Sequence, residues 1–115
     1  MEIIVTEKPI SLEKVQKMAG EQFGELIKAA VDLERRVIAL GGDLHADEEM
    51  LLIEHGSKQR NIWGINIYPF NEKEDWIEFD SMINIRPLDN NKSRDVEDEV
   101  IKKKIKEFVY EFITS

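Results

Sequence analysis

Asn61-Ile-Trp-Gly-Ile-Asn-Ile-Tyr68 and Trp76-Ile-Glu-Phe-Asp-Ser-Met-Ile-Asn-Ile-Arg86 both alternate with period two, the signature of strands that bury one face and leave the other polar. The connection between them, Pro69 to Asp75, is seven residues long. An odd number lets the two faces register. Pairing Tyr68 with Trp76 sets Asn66 beside Glu78 and Gly64 beside Asp80, while Ile67 meets Ile77 and Ile65 meets Phe79 on the other side. One face of this hairpin is expected to be core, and the other carries groups capable of chemistry.

Working outward, Glu2 to Thr6 reads as a first strand, and Ser11 is placed to cap a helix carrying Leu12, Val15, Met18 and Ala19 at helical spacing. Residues 26 to 40 fit two patterns. Leu26, Ala30, Leu33, Val37 and Leu40 suit a helical stripe, whereas Val31, Leu33, Val37 and Ala39 suit one strand face. The β-branched Val31, Val37 and Ile38 favour two short strands, Lys28 to Glu34 and Val37 to Leu40, turning near Arg35 and Arg36. Gly41 and Gly42 break the chain before a helix that carries Met50 to Ile53 and stops at Gly56. Asp47, Glu48 and Glu49 fall in its first turn, where free amides and the helix dipole favour carboxylates. The last helix has its stripe at Val100, Ile101, Ile105, Phe108, Val109 and Phe112, with acids preceding bases along it. The expected fold is a single α+β domain over residues 1–115, approximately β-α-β-β-α-β-β-α. A mainly antiparallel sheet packs its apolar side on the helices and leaves the other side as the candidate surface.

At 115 residues and 42% hydrophobic content, the chain has the size and apolar fraction of one folded domain. No apolar run approaches the roughly 20 residues needed to span a bilayer, and Met1-Glu-Ile-Ile-Val-Thr6 lacks the cationic start of a secretory signal. The cytoplasm is therefore the expected compartment, with no membrane partner. A net charge of −8 repels a phosphate backbone, which argues against nucleic acid. The absence of cysteine removes disulfides, thiolate metal sites and cysteine nucleophiles.

Three constellations could carry function. His45, Asp47, Glu48, Glu49, Glu54 and His55 include metal-ligand and acid–base types. His45 and His55 on one helix would, however, stand about 15 Å apart, too far to clamp one ion, so neither a metal nor another cofactor is expected. A histidine before a terminating glycine also suits capping of the last carbonyls. The second constellation is the polar hairpin face, Asn66, Glu78, Asp80, Asn84 and Arg86, bordered by Tyr68, Trp76 and Met82. Glu78 and Asp80 would project together about 7 Å apart. The third is the loop Arg86 to Asp95, whose Arg86, Lys92, Ser93 and Arg94 could hold a small anionic ligand. Ordinary loop anchoring through Asp89, Asp95 and Asp98 competes with that reading.

The blocks GGDLHADEE, EHGSKQRNIWGINIYP and WIEFDSMINIRP, followed by SRDVED, resemble the signature segments of a small prokaryotic family of unknown function, over nearly the whole chain. The resemblance implies a cytoplasmic stand-alone domain and transfers no activity to any residue. Two functions are therefore weighed. One is a non-catalytic binding or assembly module, expected to be a homodimer, that uses Asn66, Tyr68, Trp76, Met82, Asn84, Arg86 and Arg94. The other is a small hydrolase-like acid–base enzyme. In it Glu78 and Asp80 transfer protons, His45 or His55 acts as a second base, and Arg86 or Arg94 binds an anion.

Overall fold

Two of the strand segments, β3 (Ile27–Asp32) and β5 (Ile62–Ile67), form the middle of a five-stranded sheet in the computed structural model, which describes residues 2–115. Residues 26 to 40 thus hold two strands and no helix, β3 and β4 (Val37–Leu40), but the first ends at Asp32 and not at Glu34, and the turn takes in Leu33 to Arg36. Arg36 takes the left-handed conformation there, at φ 53°. The sheet runs β1 (Ile4–Thr6), β4, β3, β5 and β6 (Ile77–Glu78), every neighbouring pair antiparallel. Short hairpin links join β3 to β4 and β5 to β6, while β1–β4 and β3–β5 are neighbours brought together from farther along the chain.

Helices cover both faces of this sheet. Ile27, Ala29, Val31, Ile38, Leu40, Trp63, Ile65 and Ile67 point to one side. There they meet α1 (Leu12–Gln22) through Val15, Met18 and Ala19, and α3 (Glu99–Phe112) through Ile105, Phe108, Val109 and Phe112. Ala30, Val37, Ala39 and Ile62 point to the other side, against Leu52 of α2 (His45–Glu54). Small side chains on that face allow α2 to approach closely. Covering both faces is what makes β3, β4 and β5 nearly continuous apolar runs rather than half-polar strands. The expectation of a polar side open to solvent is corrected accordingly.

The ends of the helices behave as their sequences predict. Ser11 caps α1 by accepting from the Lys14 amide at 3.1 Å, and the helix tolerates Gly20 within it. Asp98 caps α3, accepting from the Val100 and Ile101 amides. A two-residue parallel pairing of β2 (Ile10–Ser11) with β7 (Ile113–Thr114) ties the start of α1 to the end of α3. Among the described residues, no helix is long and apolar enough to cross a membrane.

The hairpin forms in the expected register but is shorter. Asn66 pairs with Glu78 and Ile67 with Ile77, and the Tyr68 amide donates to the Trp76 carbonyl at 2.7 Å. Beyond Glu78 the ladder stops, so Gly64 and Asp80 are not ladder partners and the strand does not reach Arg86. After Phe79, still packed on the α1/α3 core, the chain crosses to the α2 side. Ser81 and Ile83 now face Gly64, and residues Met82–Asn84 form a 3-10 turn. A Cβ on Gly64 would stand 2.5 Å from Ser81 Oγ and 2.6 Å from its Cβ. The glycine is what admits the crossing chain.

The exposed edge of β5 is closed by side chains in place of backbone. Asn84 Nδ2 donates to the Gly64 carbonyl at 3.0 Å, and its Oδ1 accepts from the Gly64 amide at 2.8 Å. One side-chain amide thereby reproduces the donor–acceptor pair of a strand neighbour. Arg86 Nη1 donates to the Ile62 carbonyl at 2.7 Å, and its guanidinium stacks 4.3 Å from the Trp63 ring centroid.

Candidate functional site

The polar residues of β5 and β6 converge with the N-terminal end of α2 at one rim of the sheet. Cross-strand pairing places Asn66 between Lys28 and Glu78. Asn66 Nδ2 donates to Glu78 Oε1 at 2.8 Å, and the Tyr68 hydroxyl donates to the same oxygen at 3.3 Å. Asp80, half-buried, accepts from Arg94 Nε at 2.5 Å. Glu78 is exposed. His45 opens α2 beneath this group, 7% exposed, with Nε2 donating to the Ile65 carbonyl at 2.8 Å. A donor at Nε2 fixes the neutral tautomer that leaves Nδ1 unprotonated.

Burial shapes the electrostatics here. It lowers the His45 pKa, with the Lys28 charge acting in the same direction and the Ile65 carbonyl, the Asn66 side chain and Asp80 opposing. Glu48, one helical turn farther along α2, is fully buried, and that desolvation raises its carboxyl pKa to about 9. Its Oε2 accepts from the Gly42 amide at 2.9 Å, while Oε1 has no partner among the described residues. A Cβ on Gly42 would come within 2.9 Å of Glu48 Cγ, so the glycine makes room for the buried acid. Asn66 Oδ1 is likewise buried without a partner. Tyr68 has its pKa raised by burial and by the neighbouring Glu78.

Of the residues singled out in the sequence, His45, Asn66, Tyr68, Glu78, Asp80 and Arg94 meet at this rim. The others do not. His55 lies at the opposite end of α2, where Nδ1 donates to the Leu51 carbonyl at 2.7 Å, the capping role that its position before Gly56 suggested. Trp76 is buried on the other side of the sheet, edge-on to Tyr110 and bonded through Nε1 to the Asn71 carbonyl. Asn84 and Arg86 are buried along the β5 edge. Met82 is 64% exposed on the crossing segment. Trp76, Asn84 and Arg86 are therefore spent on the fold and are not surface anchors.

The loop from Arg86 to Asp95 is anchored internally. Asn91, buried, donates through Nδ2 to the carbonyls of Asn84, Ser93 and Asp95, and its Oδ1 accepts from the Glu97 amide. Glu97 accepts from the Lys92 amide, and the Ser93 hydrogen bond holds its carboxyl below the ordinary range. Asp89 lies 3.4 Å from Arg86 Nε, and Asp95 pairs with Lys102. The chain's own carboxylates take the positions that an anion would use.

Sequence reasoning missed Lys28, and it named Glu48 among the acids at the start of α2 without foreseeing that it is buried. Lys28 looked like one more polar residue at a strand start, and its cross-strand position opposite Asn66 follows only from the β3–β5 register. An acid in a first helical turn ordinarily faces water, so nothing in the local pattern marks Glu48 as buried. The adjoining Gly41-Gly42 pair was the available signal. Among the described residues, no group of three His, Cys, Asp or Glu side chains is placed to hold a metal ion.

A model of the family described as "Protein of unknown function (DUF5674)" matches residues 3–112. No curated protein and no solved structure matches the chain.

Proposed function

We propose that this chain, which belongs to the DUF5674 family, is a binding module whose rim of Tyr68, Glu78, Asp80 and Arg94 recognises a small polar ligand carrying a cationic group. One observation carries the reading. Glu78 is exposed, yet its Oε1 is held by both Asn66 and Tyr68, so the carboxylate is oriented before any ligand arrives and Oε2 is left for a partner. An oriented carboxylate beside an aromatic ring suits an ammonium or guanidinium group, which gains from both. Pre-ordering reduces the entropy lost on binding. Titration of the protein with ethylamine, methylguanidinium and acetate, followed through backbone amide shifts, tests this. The two cations are expected to move Asn66, Tyr68, Glu78 and Asp80, and Glu78→Gln is expected to weaken them about tenfold. Acetate moving the same amides, or Glu78→Gln leaving the cation response intact, overturns the proposal.

His45 supports a second reading, a small acid–base enzyme. Its Nδ1 is the unprotonated nitrogen of a ring oriented by the Ile65 carbonyl, and the Asp80 charge acts on that ring. That is the arrangement of a general base. In this reading Asp80 and Glu78 are the proton-transfer partners. Hydrolytic turnover lost in both Glu78→Gln and Asp80→Asn would support it, and turnover unchanged in both would exclude it.

A further inference from the structure

A second surface lies at the other end of α2. Val5, Thr6, Lys8, Arg35, Val37 and His55, with Glu7, line a depression of about 390 Å³, within the size range of small-molecule sites. Its floor is apolar. Val5 sits on β1 and Val37 on β4, and both pack on the cluster around Leu52 and Ala39. Its wall is cationic or hydrogen-bonding. Arg35 is exposed, and its Nη1 is fixed on the His55 carbonyl at 2.6 Å. The His55 ring is fixed in turn through Nδ1, which donates to the Leu51 carbonyl and leaves Nε2 of the neutral ring as an acceptor, so the ring is a side wall and not an anion donor. The Lys8 backbone is set by its amide, which donates a hydrogen bond to Thr6 Oγ1 at 3.0 Å. Arg35 also lines an adjoining depression that includes Lys58 and Arg60. In a chain of net charge −8, the valine-floored depression has Lys8 and Arg35 as its cations and Glu7 as its acid, while Lys58 and Arg60 stand in the adjoining depression with Glu34.

We propose that this groove binds a small organic anion, with its apolar body on Val5 and Val37 and its carboxylate or phosphate between Arg35 and Lys8. A fixed guanidinium favours a planar or tetrahedral oxyanion, and the valine floor adds the apolar burial that an inorganic ion cannot supply. Ligand charge and location both differ from those at the Tyr68–Glu78 rim, so either site can fail without the other.

The test is titration of the full chain with phenyl phosphate, benzoate and inorganic phosphate, read from backbone amide shifts. Saturable shifts at Val5, Thr6, Lys8, Arg35 and His55 are expected from phenyl phosphate or benzoate, and the tighter of the two identifies the anionic group. Inorganic phosphate is expected to bind at least about tenfold more weakly. Arg35→Gln is expected to weaken the organic anion about tenfold while Glu78→Gln leaves it unchanged. Because Arg35 also holds the end of α2, Lys8→Gln supplies a variant outside that contact, with a severalfold loss expected. The proposal is overturned by no saturable shift in the groove, by equal binding of inorganic phosphate, or by unaltered affinity in Lys8→Gln.

Discussion

Glu48 shows how far a single side chain can depart from the behaviour of its type. Its carboxyl ordinarily titrates near 4.5 and is pushed up to about 9 by burial. Below about pH 4.5 both folded and unfolded chains carry the proton, and the full stability is present. Between there and about pH 9 only the unfolded chain ionises, so the fold loses stability as pH rises. Glu48→Gln keeps the shape and removes the titration. Thermal or urea unfolding is expected to find the variant matching the parent near pH 4.5 and exceeding it at pH 8, by up to about 5 kcal/mol. A variant less stable than the parent at both values would contradict the assignment. The sequence hides this residue because Asp47-Glu-Glu49 has the composition of a solvated first turn. Only the tertiary approach of Gly42 distinguishes its middle member. His45 and Asn66, by contrast, were recognisable as candidates from residue type and parity.

At the scale of elements, the crossing segment from Ser81 to Arg86 replaces a strand that the sequence appeared to contain. Asn84 supplies both hydrogen bonds that Gly64 would take from a neighbouring strand, and it also donates to the Arg94 carbonyl at 2.9 Å. Asn84→Ala removes all three and leaves buried backbone groups unpaired. The expected loss is about 3 kcal/mol or more, measured by urea unfolding. A loss below about 1 kcal/mol would mean that water or a shifted chain replaces the amide. The hairpin register and the strand nature of residues 27–40 were readable because period-two alternation and β-branching respond to the pleat itself. The end of β6 was not, because Ser81-Met-Ile-Asn-Ile85 continues the same alternation whether its residues pair as a strand or turn across a face. What decides between these is the space over Gly64, a property of two distant segments together. The convergence of Arg94 on Asp80 depends on that same turn.

For the whole molecule, two buried groups with opposite shifts, His45 and Glu48, contribute to the pH response. Burial lowers the His45 pKa from 6.5, so the unfolded chain takes up a proton first and stability falls as pH drops below about 6.5. Glu48 acts in the other direction above about 4.5. Their slopes oppose each other just below pH 6.5. Stability is expected to change less steeply there than above about pH 6.5, where it declines toward about pH 9. Melting temperatures rising steadily from pH 6.5 to 9 would contradict that balance. The closed edge of β5 matters at this scale too. An unpaired row of backbone groups would serve as a template for a neighbouring molecule's chain. With the amide of Asn84 and the guanidinium of Arg86 already seated on Gly64 and Ile62, that template is withdrawn from the part of β5 that β6 leaves uncovered.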